Sequence, residues 1–279
     1  MELDILRALQ SFSHPALDIF FQLITLLGEE IVLIPLMALL YWNVDKRFGE
    51  ILALTAFTSL LLNNALKELF SFARPIGEKG IRSLRVETAT GKAFPSGHAQ
   101  GAASLGTALA LRRKKKRDAF LAGLLMALVA YSRLYLGLHY PKDVLVGLLL
   151  GIATAWCMAK LHRILNPRYL YALIFLVFLP FLFWKSSPDF VKAFGAYMGC
   201  VLGLLYEKAF VQFDNDGRPG EKTLRYLLGV LLLFALKEGL KLLFPEKLLF
   251  DGLRYLLVTF FALGLYPQTF RALRRRFFC

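Results

Sequence analysis

Cysteine is nearly absent from this chain: Cys157, Cys200 and Cys279 are the only three in 279 residues. They form no Cys-x-x-Cys pair and no Cys/His spacing of the kind that holds zinc. This excludes a disulfide-stapled secreted module and gives no support to a structural metal site. Charge is also scarce, at 19% of residues against 57% hydrophobic, and the mean hydropathy is +0.54. That balance excludes a disordered or collagen-like chain and disfavours a soluble enzyme. Acidic residues are the scarcer sign, 20 Asp and Glu against 34 Lys and Arg, for a formal net charge of +14. In a soluble protein this excess would suggest nucleic acid. Here no basic stripe coincides with a nucleic-acid module. The cations instead punctuate long apolar runs, as they do where they fix membrane orientation, so no nucleic-acid partner is expected. The N-terminus, MELDILRALQSF, lacks the basic n-region of a cleavable signal peptide. It is expected to form a short amphipathic helix at the membrane surface, residues 1–14.

What is present is a series of apolar runs near the ~20 residues that a bilayer requires. They lie near 16–42, 48–70, 98–111, 118–137, 142–162, 168–184, 188–206, 223–244 and 248–267. The expected fold is therefore all-α, a polytopic membrane helical bundle of about nine transmembrane helices. The first run is over-long and interrupted at Gly28, Glu29 and Glu30, which suggests a re-entrant piece followed by a spanning helix. The turn-rich connector 207–222 reads as a loop. A functional core over 15–185, followed by additional C-terminal membrane helices over 186–279, is the expected organisation.

Orientation follows from the cations. The run Arg112–Arg117 is the strongest cytoplasmic marker. Alternation then puts Lys46/Arg47, Lys160–Arg168, the 207–222 loop and Arg274–Arg276 on the same side. An odd helix number leaves the N-terminus outside and the C-terminus cytoplasmic. The loop 71–97 falls on the outer side, yet Arg74, Lys79, Arg82, Arg85 and Lys92 crowd it. Cations where topology disfavours them call for another cause, and an anionic ligand supplies one.

Three short blocks carry chemistry: Lys67 with Arg74-Pro75, then Pro95-Ser96-Gly97-His98, then Ser132-Arg133 with His139 and Asp143. All three fall at outer helix ends and can converge. Lys67 and Arg74 are seven apart, about two helical turns, and are expected to share one helix face ended by Pro75. Together they can clamp a phosphate, Arg by a bidentate fork and Lys as a point charge. Ser96 and Gly97 precede a helix start whose free N–H groups and dipole form an anion site, with Gly97 allowing close backbone approach. His98 sits at that helix start. His139 and Asp143 are four apart across Pro141, and a carboxylate near one imidazole nitrogen leaves the other free to attack. In isolation the pair could be a structural hydrogen bond; beside the other blocks it reads as catalytic.

The pattern Lys-x6-Arg-Pro, Pro-Ser-Gly-His, Ser-Arg-x5-His-x3-Asp resembles the type 2 phosphatidic acid phosphatase superfamily, which includes vanadium haloperoxidases and non-specific acid phosphatases. Every position is matched, and the likeness covers roughly residues 15–185. The resemblance implies that His139 is the nucleophile and forms a phosphohistidine, that Asp143 supports it, and that His98 protonates the leaving alkoxide. It further implies that Lys67, Arg74, Ser96, Gly97 and Arg133 bind the phosphoryl oxygens. Positioned positive charge suits a loose phosphoryl-transfer transition state, so neither metal nor other cofactor is expected. The helix plan is also like the glucose-6-phosphatase and sphingoid-base-phosphate phosphatase branches.

The implied activity is hydrolysis of a lipid phosphomonoester or diphosphate at the outer membrane face, with membrane lipids as surroundings. Alternatives are a phosphatase or phosphotransferase for a small soluble ester such as a hexose phosphate, a lipid transporter or flippase using the same anion site, and a vanadate-dependent peroxidase, which the long membrane segments disfavour. A compact chain leans toward the bacterial plasma membrane. Headgroup, chain length and oligomeric state are not legible. Glu29 or Glu30 could line the substrate mouth or lie at the interface. Lys79, Arg82 and Arg85 could meet a headgroup or simply solvate a loop. Lys237 and Lys241 read as snorkelling residues, and His14 and His162 as interfacial or loop residues.

Overall fold

The apolar runs become helices because each is long enough to satisfy its own backbone hydrogen bonds and most carry a start or stop signal. In a computed structural model, which describes residues 1–184 and 187–270, eleven α-helices and a few π- or 3₁₀-turns make up the regular structure. Arg274–Arg276 and Cys279 lie outside the described residues. Proline opens α2 (Pro15–Leu26), α7 (Pro141–Ile164), α8 (Pro167–Trp184), α9 (Pro188–Tyr206) and α10 (Pro219–Leu243), where its missing N–H costs nothing. His14 caps α2, its Nδ1 accepting from the Ala16 backbone N–H at 3.2 Å, which gives this histidine a structural role.

The residues divide into two compact units. The first comprises 1–33 and 58–166. It holds α1 (Glu2–Gln10), α2, the second half of α4 (Lys46–Phe70), α5 (Gly97–Arg113), α6 (Lys116–Tyr135) and α7. The helix α5 is built of small residues, with Ala99, Ala102, Ala103 and Ala108 buried, and it packs on both α6 and α7. Gly147 and Gly151 let α7 come against the Ser96 and Gln100 carbonyls; a Cβ on Gly147 would lie 2.7 Å from the Ser96 oxygen. Buried amides tie α4 to the same segment. Asn63 donates to Pro95 O (3.2 Å) and to the Gln100 side chain (2.9 Å), and Gln100 donates to Ser59 O (2.8 Å). The N-terminal helix is stapled to the loops: Gln10 donates to the Arg82 and Tyr135 carbonyls, and Glu2 pairs with Lys142 at 3.0 Å.

The second unit comprises 34–57 and the chain from Pro167 onward. Here α9 lies along α11 (Leu248–Phe260), with Gly195 and Gly199 set against the Gly252 and Leu256 carbonyls. Three helices end in π-turns, at Leu40–Val44, Glu207–Val211 and Phe261–Leu265. A π-turn frees carbonyls from the helical ladder. Those of Ala262 and Leu263 accept from Trp42 Nε1 and the Tyr41 hydroxyl, each at 3.0 Å. Lys46 and Glu207 form a 2.6 Å ion pair in this unit.

Among the described residues six helices are long and apolar enough to cross a membrane, and a seventh span results if α2 and the α3 (Glu30–Leu39) segment are counted together. The expected nine are therefore not all of spanning quality. The two that fall short are α5, which has 17 residues, and α10, whose later turns carry Lys237, Glu238 and Lys241. The interruption expected near Gly28 is present: α2 and the helix from Glu30 to Val44 meet at a 43° bend.

Candidate active site

All eight residues singled out for chemistry lie in the first unit, at or beside one end of α4, α5, α6 and α7. His139 sits in the tight connection between α6 and α7 and is almost fully buried. Its Nδ1 is 3.5 Å from Oδ2 of Asp143, the third residue of α7. That carboxylate oxygen also accepts the Tyr140 backbone N–H at 2.9 Å, which caps the helix and fixes the acid's rotamer. The other ring nitrogen, Nε2, is 2.8 Å from Nη1 of Arg74. A guanidinium only donates, so Nε2 accepts. The neutral tautomer is thereby set, with the proton on Nδ1 facing Asp143 and the lone pair on Nε2. Burial, and then the positive charges of Arg74, Arg133 and Lys67, hold the His139 pKa well below the ordinary 6.5.

Arg74 reaches this point by a route different from the expected one. The helix α4 ends at Phe70, and Ser71 takes a left-handed conformation with φ +49°. Lys67 and Arg74 therefore do not share a helix face, and Pro75 follows the helix end by five residues. Arg74 is instead threaded through the loop, donating to the Thr90 (2.7 Å), Gly91 (3.2 Å), Lys92 (3.2 Å) and Leu138 (3.1 Å) carbonyls. The left-handed turn at Ser71 has no glycine or proline to announce it.

Lys67, only 9% exposed, brings its ammonium close to Gly97: a Cβ there would lie 3.8 Å from Nζ and 3.2 Å from Asn63 Oδ1. Ser96 stands at the N-cap of α5 without capping it, and its buried Oγ has no hydrogen-bond partner among the described residues. The Ser96 N–H donates to the Asp143 carbonyl at 2.9 Å, joining the second block to the third. Arg133 is fully buried in α6. Nη1 donates to Thr25 Oγ1 at 2.8 Å, whereas Nε and Nη2 have no hydrogen-bond partner among the described residues. A buried cation with unfilled donors is costly unless an anion completes it.

His98, in the first turn of α5, faces the break between α2 and α3. Its Nε2 is 3.7 Å from Glu29 Oε1, and Glu29 Oε2 lies 3.1 Å from an Arg85 guanidinium nitrogen. The sequence had offered Glu29 and Glu30 only as possible lining, and the contributions of Thr25, Asn63 and Gln100 were missed. The available signal was an acid within an apolar run. Arg82 and Arg85 are engaged by protein groups: Arg82 makes a bidentate pair with Asp18 (2.6 and 2.7 Å), and Arg85 also donates to the Gln22 carbonyl. Lys79 is exposed.

These features describe a class: a chain whose described residues are helical with apolar spans, carrying a buried cationic cluster around two histidines and a carboxylate. The family model of the PAP2 superfamily matches residues 48–167, and that of the PAP2 superfamily phosphatase transmembrane extension matches 191–276. Phosphatidylglycerophosphatase B of Bacillus subtilis (strain 168) is 34% identical over 142 residues, covering 46% of this chain and 67% of the relative. Sphingosine-1-phosphate phosphatase 1 of Mus musculus is 24% identical over 262 residues, covering 82% of this chain and 61% of that protein. The crystal structure of Aquifex aeolicus LpxE superimposes with a TM-score of 0.52 at 30% identity, covering 57% of this chain and 94% of that one. The chain belongs to the PAP2 superfamily, its relatives are named phosphatases that hydrolyse phosphoric esters, and it is a multi-pass membrane protein.

Proposed function

We propose that the protein is a metal-independent lipid phosphate phosphatase working at the outer membrane face through a phosphohistidine. The tautomer of His139 carries this reading. Its Nε2 lone pair points at Arg74, where a phosphoryl group held by that arginine would sit. In the first step Nε2 attacks phosphorus as the P–O bond to the lipid breaks, and His98 gives its proton to the departing alkoxide. Arg74, Arg133, Lys67, the Ser96 hydroxyl and the Gly97 amide receive the charge on the phosphoryl oxygens. Asp143 holds the Nδ1 proton as the ring becomes cationic. Water then cleaves the N–P bond, with His98 taking its proton.

A lipid is favoured over a soluble ester by the apolar lip beside Arg74. Leu69, Phe70 and Phe72 are exposed, and the Phe70 and Phe72 rings meet Phe94 edge-on and tilted, with centroids 5.2 and 5.6 Å away. Simple anion transport would need no nucleophile oriented by a carboxylate. The test is phosphate release by purified protein from a panel of lipid monophosphates and diphosphates with excess EDTA, beside His139→Ala. Release that survives EDTA and is lost in the variant supports the reading. Equal release by the variant refutes the nucleophile, and silence across the panel transfers the assignment to a soluble ester or to transport.

A further inference from the structure

The end of α2 and the break that follows it meet the site at Thr25, Gly28 and Glu29, yet they lie before residue 48, where the family match begins. Thr25 takes one donor of Arg133. Gly28 packs on His98, where a Cβ would come within 3.3 Å of both Cβ and Cδ2 of the ring. Glu29 puts Oε1 3.7 Å from His98 Nε2. That separation is too long for a hydrogen bond and within ion-pair range. Both atoms are buried, and neither has a hydrogen-bond partner among the described residues. Two orphaned polar groups, one carboxylate oxygen and one ring nitrogen, thus face each other at 3.7 Å. Gly28 leaves the room for this approach, since a side chain there would press on His98.

We propose that Glu29 is a positioning residue for His98: it orients the ring through Nε2–H and stabilises the imidazolium that donates the proton to the leaving alkoxide. This rests on the phosphohistidine reading above. The arrangement parallels Asp143 behind His139, so each histidine has its own carboxylate, one from inside the matched motifs and one from outside. Arg85 shares the Glu29 carboxylate at 3.1 Å and so moderates it. Burial is what most opposes protonation of His98 and, with Arg133 from α6 and Lys67 from α4, lowers its pKa to about 4. Glu29 is a carboxylate set against them. Proton donation by a placed side chain is worth about 10²–10⁴ in rate, which gives this pairing room to matter.

The experiment is the pH dependence of kcat/KM on a lipid phosphate that the wild type hydrolyses, for wild type, Glu29→Gln, Arg85→Gln, Glu29→Asp and His139→Ala. Loss of the carboxylate charge makes His98 harder to protonate, so the alkaline limb of Glu29→Gln moves to lower pH by about one to three units. Loss of Arg85 leaves the carboxylate wholly to His98, so the alkaline limb of Arg85→Gln moves to higher pH. Glu29→Asp keeps the limb nearer the wild-type position than Glu29→Gln does. Opposite shifts are not what a merely structural contact would produce. An unmoved limb in Glu29→Gln, or shifts of both variants in one direction, overturns the proposal. Should Glu29→Gln fail to give a folded melting transition, Arg85→Gln decides alone: an upward shift sustains the proposal and any other result ends it. An active His139→Ala, or a wild type silent on every lipid phosphate, refutes the underlying mechanism and this inference with it. An inactive His139→Ala beside an unshifted Glu29→Gln refutes the inference only.

Discussion

Arg133→Lys tests whether the buried guanidinium is built for a phosphoryl group. One of its nitrogens serves Thr25, while Nε and Nη2 have no hydrogen-bond partner among the described residues. If these two donors serve the transition state, each is worth about 1.5–3 kcal/mol as a hydrogen bond to a charged acceptor. Their joint loss, about 3–6 kcal/mol at 1.4 kcal/mol per tenfold, predicts a fall in kcat/KM of about 10²–10⁴. Lysine keeps the charge but not the fork, so the fall should sit toward the lower end of that range. Phosphate release gives the rate, and the vanadate-induced rise in Tm gives ligand engagement. The rise should be present in wild type and greatly reduced in Arg133→Lys, while the ligand-free variant melts within a few degrees of wild type. Activity within about tenfold of wild type, with an intact vanadate response, would refute the assignment of these donors to the phosphoryl group.

Four further outcomes rest on geometry already described. On the proposed mechanism His139 must be neutral to attack, and burial with the surrounding cations holds its pKa well below 6.5. Activity should therefore persist below pH 6.5, and Arg74→Gln, which removes a cation, should bring the acid limb of the residual rate upward. The unfolded chain takes up this proton near pH 6.5 and the folded chain does not, so the contribution to stability is full above pH 6.5 and shrinks as pH falls below it. Melting of wild-type protein between pH 8 and pH 5 reads that term by difference from His139→Ala. Gly147→Ala places a Cβ 2.7 Å from the Ser96 carbonyl, forcing α5 away from α7. The expected cost is about 1–3 kcal/mol, seen as a lower Tm, with a loss of kcat because Ser96 and His98 ride on the displaced turn.

The three motif blocks were legible because their chemistry is local: each joins residues a few positions apart at a helix end, and the structure brings Lys67, Arg74, Ser96, Gly97, His98, Arg133, His139 and Asp143 into one unit. The helical periodicity argument failed for Lys67 and Arg74, since the left-handed Ser71 between them breaks the phase. Arg82 and Arg85 could not be judged from their neighbours because their partners, Asp18 and Glu29, lie 64 and 56 residues away. Glu29 was visible as an acid in an apolar run, but its role depends on a bend that composition only hints at. The count of nine spans is not confirmed where α5 is short and where the later turns of α10 carry Lys237, Glu238 and Lys241.

The hydrogen bond from Arg74 to Nε2 of His139 has one more consequence. An imidazole lone pair already engaged by a cation is a poor ligand for stray transition metals and a poor target for adventitious electrophiles. If His139 is the nucleophile, the arginine that would draw a phosphoryl group into place also masks the attacking nitrogen. Reactivity would then be coupled to arrival: only an anion that competes for the guanidinium would uncover the nitrogen, and only in the geometry where that anion can be attacked.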